Sequence, residues 1–498
     1  MNLSILILIP LISAIAVLLS PNKNIIRLSA LLGSIAQLGA VGMLMKSYLD
    51  VRATGNKEPM LFQAKYSWYS AMHIDYFVGV DGISIAMILL TSVVVFAGIL
   101  ISWNVEKMTK EFFLLLVLLS LGAYGFFISL DLFAMFFFLE VAVIPKFLLI
   151  GIWGSGKKEY SAMKLALMLM GGSAFVMIGL LGLFYNAQVN GQHTFNLLQI
   201  AQLHIPIEAQ RIIFPFMFVG FGVFTAIFPF HTWAPDGHSS APTAASMFLA
   251  GISMKLGGYG CLRVAAFLMP EAAHEYSWMI ILVSTIAIFY GAFATLMQKD
   301  LKYINAYSSV SHCGFVIFGI GMLTKTAVNG AVMQMVSHGL MTALFFGAIG
   351  MVYERTHTRM VDQLGGLLKV IPFIMTVFVI AGLCSLGLPG LSGFVAEMTV
   401  FMGAWQRPET YTRVATVLAC ASIVVTAVYI LRASGATGMG PIKNEEYRHF
   451  GDAKWNEKLA SLTLIVAILS IGIAPMWLTN LINPDTQIII DHIAAAAK

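Results

Sequence analysis

Gly387-Leu388-Pro389-Gly390-Leu391-Ser392-Gly393-Phe394-Val395-Ala396-Glu397 interrupts a long apolar run with proline and glycine, and then sets a carboxylate in the apolar residues that follow. Proline removes a backbone donor and glycine loosens the helical ladder. Freed backbone at membrane depth is tolerated only where it lines protein or a water-filled cavity. Five apolar runs earlier, Phe228-Pro229-Phe230-His231-Thr232-Trp233-Ala234-Pro235-Asp236 breaks another in the same way. Either break alone also has a plain reading as a structural kink, but the matched spacing is what an internal repeat leaves behind. With five spans per unit, an odd number, successive units are inverted. Inverted repeats place ion sites near the midplane, at the broken helices.

Outward from these breaks the chain is a series of apolar runs of roughly 17 to 25 residues. They fall at 3–19, 25–45, 83–103, 112–130, 132–152, 162–185, 212–230, 241–269, 278–297, 303–323, 327–353, 370–405 with its interruption, 414–431 and 459–480. The fold class expected is an all-α polytopic membrane protein of about 14 transmembrane helices, with two inverted five-helix repeats and broken seventh and twelfth helices. Closed helices satisfy their own backbone groups in lipid. Organisation divides into N-terminal spans over 1–110, a first repeat over 111–269, a second over 270–431, and a C-terminal loop and last span over 432–498.

Composition agrees. Of 498 residues, 59% are hydrophobic and 11% charged, and mean hydropathy is +0.85. Soluble domains carry about 25% charged residues, so this chain cannot cover itself with a water-compatible surface. The net charge of +5 sits at the ends of apolar runs, with no basic tract for nucleic acid. Cys261, Cys313, Cys384 and Cys420 lie in apolar segments without the two-residue spacing of zinc or iron-sulfur sites, and read as small core hydrophobes. Residues 1–20 lack a basic start and read as a first span rather than a signal peptide. Connections holding Lys23, Arg27, Lys107, Lys110, Lys157, Lys158, Lys299, Lys302, Arg355 and Arg359 are richer in cations than the alternate set led by Lys46, Arg52, Lys57 and Lys65. The positive-inside rule then puts both termini outside.

Against this apolar background Glu140, Lys164, Lys255, His312, His338 and Glu397 are conspicuous. An intramembrane charge costs roughly 2.5 to 3.5 kcal/mol on insertion scales, which makes each a functional candidate. Glu140 lies about 12 Å into its helix, at 1.5 Å per residue. Each also has a plain structural reading: an ion pair for Glu140, hydrogen bonds across helices for the histidines, and snorkelling for Lys164, which lies nearer a helix end. His231, beside the seventh-span break, reads as structural. Neutral imidazole both accepts and donates, so two histidines between Lys255 and Glu397 could form a wire.

Several blocks carry a resemblance: Gly79-Val80-Asp81-Gly82-Ile83-Ser84; Phe138-Leu139-Glu140 with Ile144-Pro145; Pro229 to Trp233 through Ala241-Pro242-Thr243-Ala244; Ser337-His338-Gly339; and His357-Thr358-Arg359. Together they resemble the subunit M family of antiporter-like membrane subunits in proton-pumping NADH:quinone oxidoreductase, respiratory complex I. The resemblance spans nearly the whole chain, and the early block and His-Thr-Arg favour this family over its sisters L and N. It implies proton translocation in a bacterial inner membrane, beside sister subunits L and N and lipid, with no cofactor in this chain: flavin, iron-sulfur clusters and quinone belong to partner subunits. Residue by residue, it implies that Glu140 is the fifth-span acid, Lys164 a sixth-span lysine, and Lys255 the eighth-span relay. His312 and His338 match tenth- and eleventh-span positions, and Glu397 the terminal acid, expected to release protons outward.

One departure stands out. The family's broken seventh helix carries a lysine five residues before the Pro-Phe-His-Thr-Trp proline; this chain has Phe224 there, and Ala226 where a second proline is usual. Lys146 is a candidate substitute. Six residues is about 600° of helix, however, so Lys146 does not share the face of Glu140. Snorkelling is the expectation for it, and a third reading is that this subunit couples its neighbours without pumping. Other classes remain: a subunit of a cation/proton antiporter or membrane-bound hydrogenase, for which the Asp81 block is the discriminating feature, and a structural spacer, which has no reason to keep buried charges.

Overall fold

The computed structural model describes residues 2–496. Among them, ten helices are long and apolar enough to cross a membrane, and Ile5–Leu19 and Pro372–Ser385 are shorter apolar helices. Neighbours in sequence pack antiparallel: Ile5–Leu19 on Lys23–Ala53, Thr109–Ile128 on Leu132–Trp153, and Ser277–Leu296 on Leu301–Gly321. Lys325–Thr356 runs through the middle, touching Gly82–Ile101, Leu301–Gly321, Pro372–Ser385, Ser392–Trp405 and Trp455–Ile473. Its apolar window is entirely buried, so its face is read by protein rather than lipid.

The breaks fall where proline and glycine chemistry places them. Ile207–Thr225 stops at Ala226, which adopts φ 60°, and helix resumes over Trp233–Ser240. The expected span over 212–230 is therefore shorter than its hydropathy. A left-handed alanine costs about 1 kcal/mol, so packing must hold the turn; Ala226 is fully buried. The twelfth span divides into Pro372–Ser385 and Ser392–Trp405, with Gly387 at φ 74° and Gly390 at φ 93° between them. Glycine populates these angles without a Cβ clash.

Two elements depart from the apolar-run reading. Leu61–Tyr69 and Ile74–Val80 form an antiparallel hairpin, with Lys65 opposite Phe77 and Ser67 opposite Asp75. Aromatic and polar residues alternate there, a pattern that suits a half-buried strand. The run at 459–480 is also not one span: Trp455–Ile473 ends before Pro475, and Met476–Ala496 is a separate helix carrying Asn480, Asn483, Pro484, Asp485 and Gln487. It packs on Gly82–Ile101, Lys325–Thr356 and Pro270–Glu275.

The Val80-Asp81-Gly82 block is the corner where the hairpin enters a helix. Asp81 caps Gly82–Ile101 by accepting from Ser84 N at 2.8 Å. Gly82 has no room for a side chain, since a Cβ there would lie 1.8 Å from the Leu481 carbonyl oxygen, and its own N–H donates to Asp485 at 2.7 Å. Asp485 also takes Tyr48 (2.7 Å) and Arg52 (2.9 Å), while Arg263 pairs with Asp81. Three buried charges, Asp81, Arg263 and Asp485, with the partly buried Arg52, thus tie the hairpin corner to the second, eighth and final helices. Removing one partner of such a pair leaves the other uncompensated, at about 3–5 kcal/mol. Arg263→Met is expected to lower the thermal inactivation midpoint of the membrane-bound assembly; an unchanged midpoint would show that Asp81 finds another cation.

At the opposite end, Lys23 (2.5 Å) and Arg27 (2.6 Å) close on Glu106 and hold its exposed carboxyl below the usual carboxylate range. Several cations counted as loop charges are likewise paired, Arg355 with Glu457 (2.8 Å) and Arg359 with Asp300 (3.1 Å).

Candidate functional site

The eighth span begins at Thr243 and contains two π-helical stretches, Leu249–Ser253 and Cys261–Ala266. A π turn widens the helix by one residue and leaves carbonyls available to side chains, which is why such turns gather at functional sites. Lys255 follows the first of them. Its ammonium donates back to the Ala250 carbonyl and lies 2.7 Å from His338 Nδ1 on the eleventh-span helix Lys325–Thr356. Gly251 and Gly339 let these two helices approach: a Cβ on either would crowd the other's carbonyl.

From His338 the contacts continue. Its ring centroid is 5.4 Å from that of His312 on Leu301–Gly321, and its Nε2 has no hydrogen-bond partner among the described residues. His312 Nδ1 stands 3.3 Å from Glu397 Oε1 and 3.3 Å from the Gln334 amide nitrogen, a donor. It can therefore donate to the carboxylate when protonated and accept from the amide when not. His312 Nε2 lies 3.0 Å from the Ser385 hydroxyl, which serves either tautomer. Glu397 sits on Ser392–Trp405 just beyond the twelfth-span break, its carboxyl beside Gly387, where a Cβ would approach Glu397 Oε2 to 2.8 Å. Ser337, next to His338, donates to Ser392 at 2.8 Å and fixes the broken helix to the eleventh span.

Lys255, His338, His312 and Glu397 thus form one line of contact across four helices. All four are buried. The two histidines meet ring to ring rather than through a hydrogen bond, so a proton crossing between them needs a ring rotation or a bridging water.

Glu140 and Lys164 lie apart from this line. Glu140 is half-buried on Leu132–Trp153 and accepts from the Ser173 hydroxyl on the sixth-span helix Lys158–Asn186. Lys164 pairs with Asp236 at 2.7 Å, and Tyr303 donates to the other oxygen of that carboxylate at 3.0 Å. Asp236 belongs to Trp233–Ser240 beyond the seventh-span break and borders a cavity of about 560 Å³ shared with Lys157, Tyr160, Ser240 and Arg359. Lys164 is accordingly ion-paired, with a quarter of its side chain exposed (24%). His231 is buried against Phe228 and Tyr290, and its Nδ1 has no hydrogen-bond partner among the described residues.

Lys146 does not snorkel, contrary to the expectation for it. Only 1% of it is exposed, its Nζ has no hydrogen-bond partner among the described residues, and the ammonium lies 6.0 Å from the centre of the Phe224 ring. The side chain leaves its own helix on a face that a second helix covers. On that face lies the Phe224 ring of the neighbouring helix Ile207–Thr225.

Two further buried groups escaped the sequence reading. Lys302, assigned to a connection, begins Leu301–Gly321 and donates to the Ala241 carbonyl at 2.7 Å, fully inside the protein. His238, which follows the seventh-span break, is buried with both ring nitrogens unpartnered among the described residues and its ring stacked on Phe346. Polar residues beside a break were the available signal.

A family model described as "NADH:quinone oxidoreductase/Mrp antiporter, TM" matches residues 129–423, a range that holds Glu140, Lys146, Lys164, Lys255, His312, His338 and Glu397. The chain belongs to this family. NADH-quinone oxidoreductase subunit M of Rickettsia prowazekii is 35% identical over 491 residues, covering 97% of this chain and 98% of that protein. NAD(P)H-quinone oxidoreductase chain 4 1 of a Synechococcus species is 33% identical over 97% of this chain and 91% of that one. Among solved structures, a chain of respiratory complex I from Thermus thermophilus with bound NADH superposes with a TM-score of 0.87 at 24% identity, covering 99% of both chains. A chain of the Mrp complex from Dietzia reaches 0.85 at 18% identity, over 100% of this chain and 99% of that one. At those identities the two structures establish a shared fold. The antiporter-like membrane fold expected from the sequence is therefore the fold of this chain.

Proposed function

We propose that this chain is a proton-translocating, antiporter-like subunit of the membrane arm of an NADH:quinone oxidoreductase in a bacterial inner membrane, and that Lys255, His338, His312 and Glu397 carry its proton. The contact line from Lys255 to Glu397 is the observation that supports this best. Charges cost too much at this depth to be kept as filler, and each member here can gain or lose a proton.

The geometry suggests an order of events. Lys255 as an ammonium donates to His338 Nδ1. Transfer of that proton leaves a neutral amine and an imidazolium, and a hop to His312 puts the proton 3.3 Å from Glu397. Glu140 and the Lys164–Asp236 pair belong to the first repeat proposed over 111–269, with the cavity at Asp236 as the way in from the side of the Lys157 connection. Glu397 would be the group that releases outward, in the second repeat over 270–431. Redox energy would arrive electrostatically: a change of charge at one end alters the proton affinity of the next group along the axis. Flavin, iron-sulfur clusters and quinone would be held by partner subunits, and sister antiporter-like subunits L and N would flank this one. The half-buried side of Glu140 supports a protein neighbour there, because a carboxylate facing lipid is expensive.

NADH-driven acidification of inverted membrane vesicles tests the assignment. Lys255→Met and Glu397→Gln are each expected to lower acidification and quinone-reductase turnover by about 100-fold, the low end for a lost proton-transfer group, in complexes shown to be assembled. Wild-type acidification in either variant would overturn it.

A further inference from the structure

An ammonium buried without a hydrogen bond or an ion pair is the least expected object in this fold. Among the described residues Lys146 Nζ has neither partner, and no carboxylate lies within 4 Å of it. Its one charged neighbour of consequence is Glu140, and the influence is mutual: each is the charge that bears on the other. Glu140 meanwhile is held by a single donor among the described residues, the Ser173 hydroxyl. The ring of Phe224 lies 6.0 Å from the ammonium, at the outer limit of a cation–π contact. Such a contact cannot replace hydration.

A purely structural lysine would be paired or would reach an interface, and Lys146 does neither. A charge held permanently here would be penalised, whereas an amine that is neutral for part of a cycle is tolerated in an apolar site. Pro145, which precedes it in the helix, removes a backbone donor one residue away. The Phe224 helix is seated firmly beside it. Gly257 and Gly260 of the eighth span admit Thr225 and Phe221 so closely that a Cβ on either glycine would clash, so the ring and the ammonium are held at a fixed relation to the Lys255 helix.

We propose that Lys146 is the proton-exchanging partner of Glu140 and does from the fifth span what a lysine at position 224 would do from the seventh, with Phe224 shaping the apolar wall of its site. The exchange is a balanced transfer: the Glu140 carboxyl loses a proton and becomes a carboxylate while the Lys146 amine gains it and becomes an ammonium, through an intervening water or a side-chain swing. When the pair is charged its two members attract, and when the proton returns both are neutral. A field arriving along the membrane arm can therefore switch the pair as a unit. This inference rests on the proton-translocating reading of the chain and adds the residue that loads its first half.

The test is a charge transposition in inverted vesicles carrying the assembled complex. Lys146→Met is expected to lower acidification and quinone-reductase turnover by about 100-fold. Adding Phe224→Lys to it returns an ammonium to the same volume from the facing helix, and is expected to restore most of both rates. A merely structural lysine would not be rescued from another helix. Full pumping by assembled Lys146→Met overturns the proposal, and so does an assembled double variant that stays as slow as the single one. Should the single variant not assemble, the double variant alone decides: an active complex supports the proposal, and an assembled but inactive one removes it. Glu140→Gln in the same vesicles separates the two readings. If it stops pumping while Lys146→Met does not, only the role of Lys146 falls; if neither matters, the translocation reading of this half falls with it.

Discussion

Glu140→Gln is expected to leave the complex assembled and to abolish most NADH-driven acidification, with quinone-reductase turnover falling in parallel by about 100-fold. The amide matches the carboxyl in size and still accepts from the Ser173 hydroxyl, so packing between the fifth and sixth spans survives. What it loses is the ability to hold or release a proton. It also removes the charge that faces Lys146. Turnover falls as well as pumping if electron transfer is obliged to wait for a charge movement in this half. Vesicles that keep turnover but lose acidification would show that the obligation is broken rather than the site. Normal acidification with assembled complex would make Glu140 a structural charge and leave this subunit as a coupler of its neighbours.

How much of this was legible depends on which physical signal each residue emits. Glu397 and its break could be read because proline, glycine and a carboxylate within one apolar run have few explanations in lipid. The hairpin at 61–80 was missed because a search for apolar length passes over two short alternating strands. The join at Pro475 was missed because Met476 to Ile482 keeps enough hydropathy to extend the preceding helix in a sliding count. Lys302 reads as a connection residue from the polar company it keeps, yet its ammonium is buried on the Ala241 carbonyl, and His238, with no apolar run of its own, is buried against Phe346 of the eleventh span. Lys146 shows the limit most plainly. Its position on its own helix was read correctly, and its environment is supplied by Phe224, 78 positions further along the chain. Candidate residues are properties of a sequence, whereas which of them touch is a property of helix packing. No periodicity could have told that His312 would have an amide donor and a carboxylate at the same 3.3 Å from one ring nitrogen.

That last arrangement makes His338 the most discriminating residue on the line, because its two roles can be separated by substitution. It accepts from Lys255 at 2.7 Å, which helps to tolerate a buried ammonium, and it is the ring next to His312. Glutamine at 338 keeps the first role, since its amide oxygen can accept from Lys255, and removes the second, since an amide does not take up a proton near neutral pH. Leucine removes both and leaves Lys255 with only the Ala250 carbonyl. If the line conducts protons, His338→Gln assembles normally yet loses acidification by about 100-fold, and His338→Leu loses acidification together with thermal stability. If the contact is only structural, His338→Gln pumps like the parent and His338→Leu alone is impaired. Native gel assembly, a thermal inactivation midpoint and vesicle acidification on the same two variants distinguish these cases. Loss of pumping in the glutamine variant at unchanged stability would assign the proton, rather than the fold, to this ring.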